Sequence, residues 1–317
     1  MKKKILIISY RPPWPSHEGG YVLRVFNICK MLQKQYLLDL LSIFKDEKEA
    51  QIPEGAQAIF NKTIFFFRKE ISKKVGALKY LFSKKPIQIG YFEHPSIRHW
   101  IKKHSGEYDL IFCFTLRTAK YLQNIFQKKV IDLIESLSLK YKLAIPYVDS
   151  FWRFIYWTEI PRISNFELET VKQFNLTFVS TKEDKNHILK NLCVSESPEV
   201  VVLPNGVKEE LFKTYTLEDE ESTISFFGKM DYQPNEDAVL YFSYEIFPFL
   251  KKNFPSLKFY IVGTNPSKKV QRLKKFKDII VTGYLPNPYQ ILQKSKVIVA
   301  PLRFGAGIQN KVLEAMA

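Results

Sequence analysis

Apolar residues along this chain come in short, nearly unbroken runs, and the more polar stretches between them carry apolar residues at three- and four-residue spacing. In the first half the runs are KILIISY (4–10), YLLDLLSIF (36–44), KTIFFF (62–67), YDLIFCF (108–114), KVIDLI (129–134) and NLTFVST (175–181). Runs this short, apolar on successive positions and rich in β-branched and aromatic residues, predict strands of a parallel sheet covered on both faces. Between the first two, Val22, Val25, Phe26, Cys29, Met31 and Leu32 repeat with a helical period. Strand and helix thus alternate as in a doubly wound α/β lobe. The pattern restarts at STISFFG (222–228) and continues through LKFYIVG (257–263), DIIVTG (278–283) and KVIVAP (296–301), with the clearest helical stretch from Asn235 to Asn253. The first three of these strands end in glycine, which at a strand's carboxyl end marks the edge where open α/β sheets take ligands. Between the halves, PNGVKEELFKTYTLEDEES (204–222) opens on the turn dipeptide Asn205-Gly206 and then turns acidic. The pattern therefore predicts two Rossmann-like domains, residues 1–204 and 222–317, joined by a linker at 205–221.

Length agrees, since 317 residues exceed what one hydrophobic core usually serves. Composition changes the picture in one respect: a formal charge of +16 calls for an anionic partner, whether nucleic acid, anionic lipid or a phosphorylated substrate. The densest basic stretch, FRKEISKKVGALKYLFSKK (67–85), interleaves its lysines with Ile71, Val75, Leu78, Tyr80, Leu81 and Phe82. Such a segment either lies on an acidic membrane face or packs its apolar side on its own domain with the lysines in water. The start, MKKKILIISY, has basic residues before an apolar run, but a Pro-rich turn follows at once, so it reads as a first strand and the protein is expected in the cytoplasm. Cys29, Cys113 and Cys193 are odd in number, far apart and set in apolar segments, which predicts buried free thiols. The aromatic residues fall mainly in apolar strands and helices, which argues against a basic nucleic-acid-binding protein with stacking platforms.

The closing stretch PLRFGAGIQNKVLEAMA (301–317) runs strand, Gly305-Ala306-Gly307, helix. Glycines let a backbone approach a ligand closely, and free N–H groups at a helix start favour phosphate. Together with FFGKMDYQPNEDAV, FYIVG and VTGYLPN, this ending resembles the nucleotide-sugar-binding domain of the GT-B glycosyltransferases of group 1, or family 4. The start ISYRPPWPSHEGGYVLRVFNICKML is similar to a branch of bacterial sugar transferases of surface polysaccharide synthesis. The resemblance covers nearly the whole chain. It implies a GT-B fold, two Rossmann-like doubly wound domains facing a cleft, and transfer of a sugar from a nucleotide-diphosphate donor to a glycan or polyprenyl-lipid-linked acceptor. It also implies retention of configuration, front-face transfer in which the departing phosphate helps deprotonate the acceptor, and no metal or other cofactor. Location would be cytoplasmic, peripheral on the inner face of the cell membrane.

The resemblance assigns residues one by one. Lys229, after Gly228, matches a basic position near the donor diphosphate; the alternative is a solvated strand-end lysine. A second family lysine is absent, Gln233-Pro234-Asn235 standing there, which leaves Lys311 or Arg303 to supply the charge. Glu314 matches the second glutamate of a paired motif and would accept from a ribose diol, or else pair with Lys311 at i,i+3. Ala306 stands where the first glutamate belongs, so the backbone of Gly305 and Gly307 would take over. In the first domain Gly19 and Gly20 of PSHEGG (15–20) are candidate diphosphate contacts, with Arg24 one turn on and His17 nearby, or they form an ordinary tight turn. Where the family often carries a histidine, CFTLRT offers Thr115 and Arg117, the latter a candidate for a phosphate. Asp132 and Glu135 would position the acceptor or cap a helix. In the resembling family, a further strand and helices follow the KVLEAMA helix, so the second domain is expected to be incomplete and its sheet to keep an open edge. That same expectation, with Ala306, supports the alternative of a glycosyltransferase-like scaffold with impaired catalysis.

Overall fold

The computed structural model describes residues 2–14, 19–44, 50–190, 192, 198–207, 209–212 and 221–317. His17, Cys193 and the acidic part of the expected linker, 213–220, lie outside the described residues. The chain divides into two compact units, Met1–Asn205 with Ala306–Ile308, and Gly206–Gly305 with Gln309–Ala317.

The first unit is built on seven parallel strands: β1 (Lys4–Ser9), β2 (Leu37–Phe44), β3 (Lys62–Phe67), β4 (Leu110–Phe114), β5 (Lys129–Ile134), β6 (Leu176–Val179) and β7 (Val200–Val202), in the order β3-β2-β1-β4-β5-β6-β7. Successive side chains of a strand point to opposite faces, so an unbroken apolar run needs cover on both. The structure supplies it. Leu6 and Ile8 of β1 join Ile97, Ile101, Ile163 and Phe166 in one core, while Ile5 and Ile7 join Val25, Cys29 and Phe114 in the other. Helix Gly20–Leu32 buries Val22, Val25 and Cys29, and Cys29 and Cys113 are buried free thiols. β7 is a seventh strand beyond the six expected, formed by the short β-branched run Val200–Val202 between Pro198 and Pro204.

The second unit has four parallel strands, β8 (Glu221–Phe227), β9 (Lys258–Val262), β10 (Ile279–Gly283) and β11 (Ser295–Ile298), in the order β10-β9-β8-β11. Its core gathers Phe226, Phe259, Ile261, Val239, Phe242 and Leu273. β11 stands at one edge of this sheet, and its Val297 is exposed. The helical stretch expected at 235–253 runs from Gln233 to Asn253 with a wider π-type turn over Phe242–Ile246. In each sheet the strand order reverses once, between β1 and β4 and between β8 and β11. Beyond the carboxyl ends of the strands at such a switch point, the outgoing connections part to opposite faces and leave a crevice.

Two helices carry apolar and aromatic side chains on the outside, which departs from the expectation that aromatic residues lie mainly within apolar core elements and decides between the two readings of the 67–85 stretch. Helix Glu70–Leu81 buries no residue: it turns Gly76 toward the backbone of Gly90, and Ile71 (77% exposed), Val75, Leu78 and Phe82 (92%) form a stripe on its outside. Helix Ser150–Gln173 likewise exposes Phe151, Trp152, Phe154 and Trp157 (70%) in its first half. The two are adjacent, since the Arg162 side chain donates to the Leu81 carbonyl at 3.1 Å.

Candidate active site

At the switch point of the second sheet, β8 runs into Gly228 and β11 leads into the Gly305 loop and helix Asn310–Met316. Gly228 (φ +152°) and Gly263 (φ +156°) adopt conformations open to glycine. They sit so close that a Cβ on Gly263 would lie 1.7 Å from the Gly228 carbonyl oxygen. A Cβ on Gly228 would lie 2.7 Å from Asn235 Nδ2 and 3.3 Å from Lys311 Nζ, so this glycine is what admits the lysine to the strand end. Lys311 Nζ donates to Asn235 Oδ1 and lies 4.3 Å from the centroid of the Phe226 ring. Asn235 Nδ2 donates in turn to the Lys229 carbonyl at 2.9 Å. Burial pulls the Lys311 ammonium down to about 8, against a smaller upward pull from Glu314. A half-buried cation, oriented by an amide and short of a full counter-charge, is poised for an incoming anion.

One turn beyond Lys311, Glu314 is half-buried and accepts from the Tyr289 hydroxyl at 3.2 Å. Burial, then the charge of Glu314, pushes that phenol up to about 12. Lys229 is exposed and faces Asp231 at 3.6 Å. Arg303 is held by Asp237 through Nε and Nη2, at 2.9 and 2.5 Å. Of the two cations left open for the second phosphate charge, the structure therefore brings Lys311 to Gly228 and ties Arg303 to a carboxylate. Gly305 (φ +139°) lies in the loop before the helix, and Gly307 (φ +73°) belongs to the short stretch grouped with the first unit. Asn235, in the Gln233-Pro234-Asn235 stretch where a second family lysine was expected, is the residue that orients Lys311.

In the first unit Gly19 (φ +111°) and Gly20 are exposed, and Gly20 opens helix Gly20–Leu32. Arg24 is not available to a phosphate. Its guanidinium is buried against Asp132 (2.6 and 3.2 Å), Asn205 (2.6 Å) and the Leu203 carbonyl (2.9 Å). Asp132 is buried with it and is likewise not free to position an acceptor; burial raises its pKa while Arg24 holds it down. Breaking such a buried pair would strand one charge. Glu135 is half-buried and pairs with Lys140 at 2.5 Å. Thr115 (φ +68°) and Ile134 (φ +70°) sit at the carboxyl ends of neighbouring strands in a conformation that β-branched residues rarely adopt. Such strain collects at functional edges. Arg117 stands beside them with its guanidinium carbon over the rings of Tyr10 and Phe92, 4.6 and 4.5 Å from their centroids.

A separate buried cluster lies behind this edge. Glu167 accepts from the backbone of Leu137 and Ser138 and from the hydroxyls of Ser136 and Ser138, and Ser138 Oγ also meets His187 Nε2 at 3.0 Å. Burial raises the Glu167 carboxyl to about 7 despite these bonds.

Comparison with known proteins bears on the fold and on residues 221–317. Residues 221–317 match the family described as "Glycosyl transferases group 1". Over 99% of its length the chain is 21% identical to an uncharacterized 44.6 kDa protein in the cps region of Klebsiella pneumoniae, covering 80% of that protein. Among solved structures it resembles the sucrose-phosphate synthase of Thermosynechococcus elongatus (TM-score 0.68, 15% identity, 99% of this chain and 79% of that one). It also resembles TarM (TM-score 0.65, 11% identity, 100% and 83%), and a TarM complex with α-GlcNAc-glycerol and UDP (TM-score 0.61, 11% identity, 99% and 84%). The fold is that of the GT-B glycosyltransferases.

Proposed function

We propose that the chain, whose residues 221–317 match the group 1 glycosyl transferases, is a glycosyltransferase that moves a sugar from a nucleotide-diphosphate donor to a glycan or lipid-linked acceptor in surface polysaccharide synthesis. The observation that carries the proposal is Lys311, half-buried beside Gly228 at the switch point of the second sheet and oriented by Asn235. Negative charge grows on the diphosphate as the glycosidic bond breaks, and a fixed, partly desolvated ammonium stabilises it more than a solvated one would. Lys229, exposed at the same strand end, adds to the field. Glu314, about 4.5 Å further along the helix by the rise of about 1.5 Å per residue, would accept from the ribose diol. In this reading the leaving phosphate takes part in deprotonating the acceptor, so the reaction proceeds with retention and without a metal.

The second unit takes the donor and the first the acceptor. The outward stripe Ile71, Val75, Leu78 and Phe82, with Lys69, Lys74, Lys79 and Lys84 exposed around it, suits the inner face of a cell membrane. No described helix is long and apolar enough to cross a membrane.

The test is a thermal-shift panel of nucleoside diphosphates with the wild-type chain and Glu314→Ala. A bound nucleotide should raise the melting temperature. The variant should weaken ribonucleotide binding roughly tenfold or more, since a lost hydrogen bond to a charged group costs about 1.5–3 kcal/mol. It should leave 2′,3′-dideoxy nucleotides unaffected. No shift with any nucleotide, or equal loss for both kinds, overturns the donor-site assignment.

A further inference from the structure

At the switch point of the first sheet two arginines share one aromatic ring. Arg11 lies two residues beyond β1 and Arg117 three beyond β4. Arg117 lies over the Tyr10 and Phe92 rings, 4.6 and 4.5 Å from their centroids, and Arg11 lies 5.8 Å from the Tyr10 centroid and 5.3 Å from that of Tyr21. The rings hold one another, Tyr10 to Tyr21 at 4.5 Å and Tyr10 to Phe92 at 5.3 Å. An aromatic face fixes the guanidinium plane without using any of its in-plane N–H donors. Those donors remain to be satisfied: Nε of Arg11, Nε of Arg117 and Oγ1 of Thr115 are buried with no hydrogen-bond partner among the described residues.

Among the described residues, the carboxylates nearby are already taken. Glu93 pairs with Lys120 at 2.7 Å and accepts from Tyr80, Asp132 pairs with Arg24, and Glu135 pairs with Lys140. The Tyr21 hydroxyl is bonded to Ser9 Oγ at 2.6 Å, and burial raises its pKa far above the ordinary range, so it offers no negative charge. Two like charges against one ring, with buried donors unmatched, are costly unless an anion joins them. The strained Thr115 lies between β4 and Arg117, which is where a functional group would be held against local preference.

We propose that Arg11 and Arg117, clamped by Tyr10, Tyr21 and Phe92, bind a phosphate ester carried by the acceptor. The proposal rests on the glycosyltransferase reading for the word acceptor, but the anion site itself belongs wholly to the first unit. Guanidinium forks match phosphate oxygens in pairs, and a phosphate so held would fix the acceptor's orientation. The phosphate is that of a phosphorylated sugar or that of a polyprenyl-type lipid anchor, and matched probes separate the two.

Calorimetric titrations of the full chain would compare hexose 6-phosphate with the free hexose, and a water-soluble short-chain isoprenyl phosphate with its alcohol. The phosphorylated member of one pair should bind and its neutral counterpart should not. Arg11→Gln and Arg117→Gln should each weaken binding roughly tenfold or more, and Arg117→Lys should restore only part, because a point charge lacks the fork. Nucleoside diphosphate binding, measured on the same samples, should be unchanged, which also shows the variants to be folded. The proposal is overturned if neither phosphate probe binds, if phosphorylated and neutral probes bind alike, or if the double variant binds like the wild type. It is overturned equally if the arginine variants lose nucleotide binding, for then the pair serves the donor. If the wild type binds no nucleotide yet binds phosphate through these arginines, the donor-site reading fails and this site stands.

Discussion

Removing the ammonium of Lys311 should change donor binding and its pH dependence together. Partial burial lowers the folded-state pKa from an ordinary lysine value to about 8, a drop that corresponds to about 3 kcal/mol of penalty on the charged form. A diphosphate arriving beside Nζ reverses that penalty, so the protonated lysine is the form that binds. Phosphate groups have their last ionisation near about 6, so the ligand is fully charged throughout alkaline pH and only Lys311 changes. Affinity for a nucleoside diphosphate should therefore hold from neutral pH to about 8 and fall towards tenfold per pH unit above it, roughly thirtyfold between about pH 7 and 9.5. Lys311→Met should bind more weakly at pH 7, show no such slope, and meet the wild-type curve near pH 9.5. Stability responds in the opposite sense. The unfolded chain binds more protons than the folded one between about pH 8 and the ordinary lysine pKa, so stability rises with pH across that window. At pH 7 the methionine variant should accordingly be more stable, by up to about 3 kcal/mol. Isothermal titration calorimetry at a series of pH values, with urea unfolding of both proteins, measures these quantities. A wild-type affinity that is flat from pH 7 to 9.5, or a variant that binds as well as the wild type at pH 7, refutes the role given to Lys311.

Two other outcomes are expected. Replacing Ile71 and Phe82 by serine should reduce cosedimentation with vesicles containing anionic lipid, and binding by the wild type should fall as salt rises; equal binding to neutral vesicles would show that charge plays no part. Glu167 has a raised folded pKa, so the stability it contributes is full below its ordinary range and is lost as pH rises through about 7, by up to about 3 kcal/mol. Urea unfolding at pH 5 and 8 should show Glu167→Gln with a shallower pH dependence than the wild type, and an unchanged slope would mean that Glu167 is not the titrating group.

The strands and their parallel character were readable from the sequence, because a run such as Ile5 to Ile8 has apolar side chains on both faces and only a doubly covered sheet buries both. So were the strand-ending Gly228 and Gly263, since close approach of two backbones tolerates no other residue, and the closing motif with Lys311 and Glu314. What the tertiary structure decided is how each charge is used. Arg24 is paired across 108 residues with Asp132, and Arg303 across 66 with Asp237. Local spacing carries no trace of either partner, so these arginines read as candidate phosphate ligands until the fold engages them. Lys311 and Lys229 look alike in sequence, yet Asn235 and Phe226 desolvate one while the other stands in solvent beside Asp231. Arg11 and Arg117 lie far apart in the chain and meet through Tyr10 only because β1 and β4 are neighbours at the switch point. The stripe on helix Glu70–Leu81 had two readings that periodicity could not separate, since a helical period fixes which residues share a face but not what that face meets. The contact of Gly76 with Gly90 turned the stripe outward. Secondary structure follows from patterns a few residues long, whereas the protonation, pairing and exposure of a side chain depend on neighbours that folding brings from elsewhere.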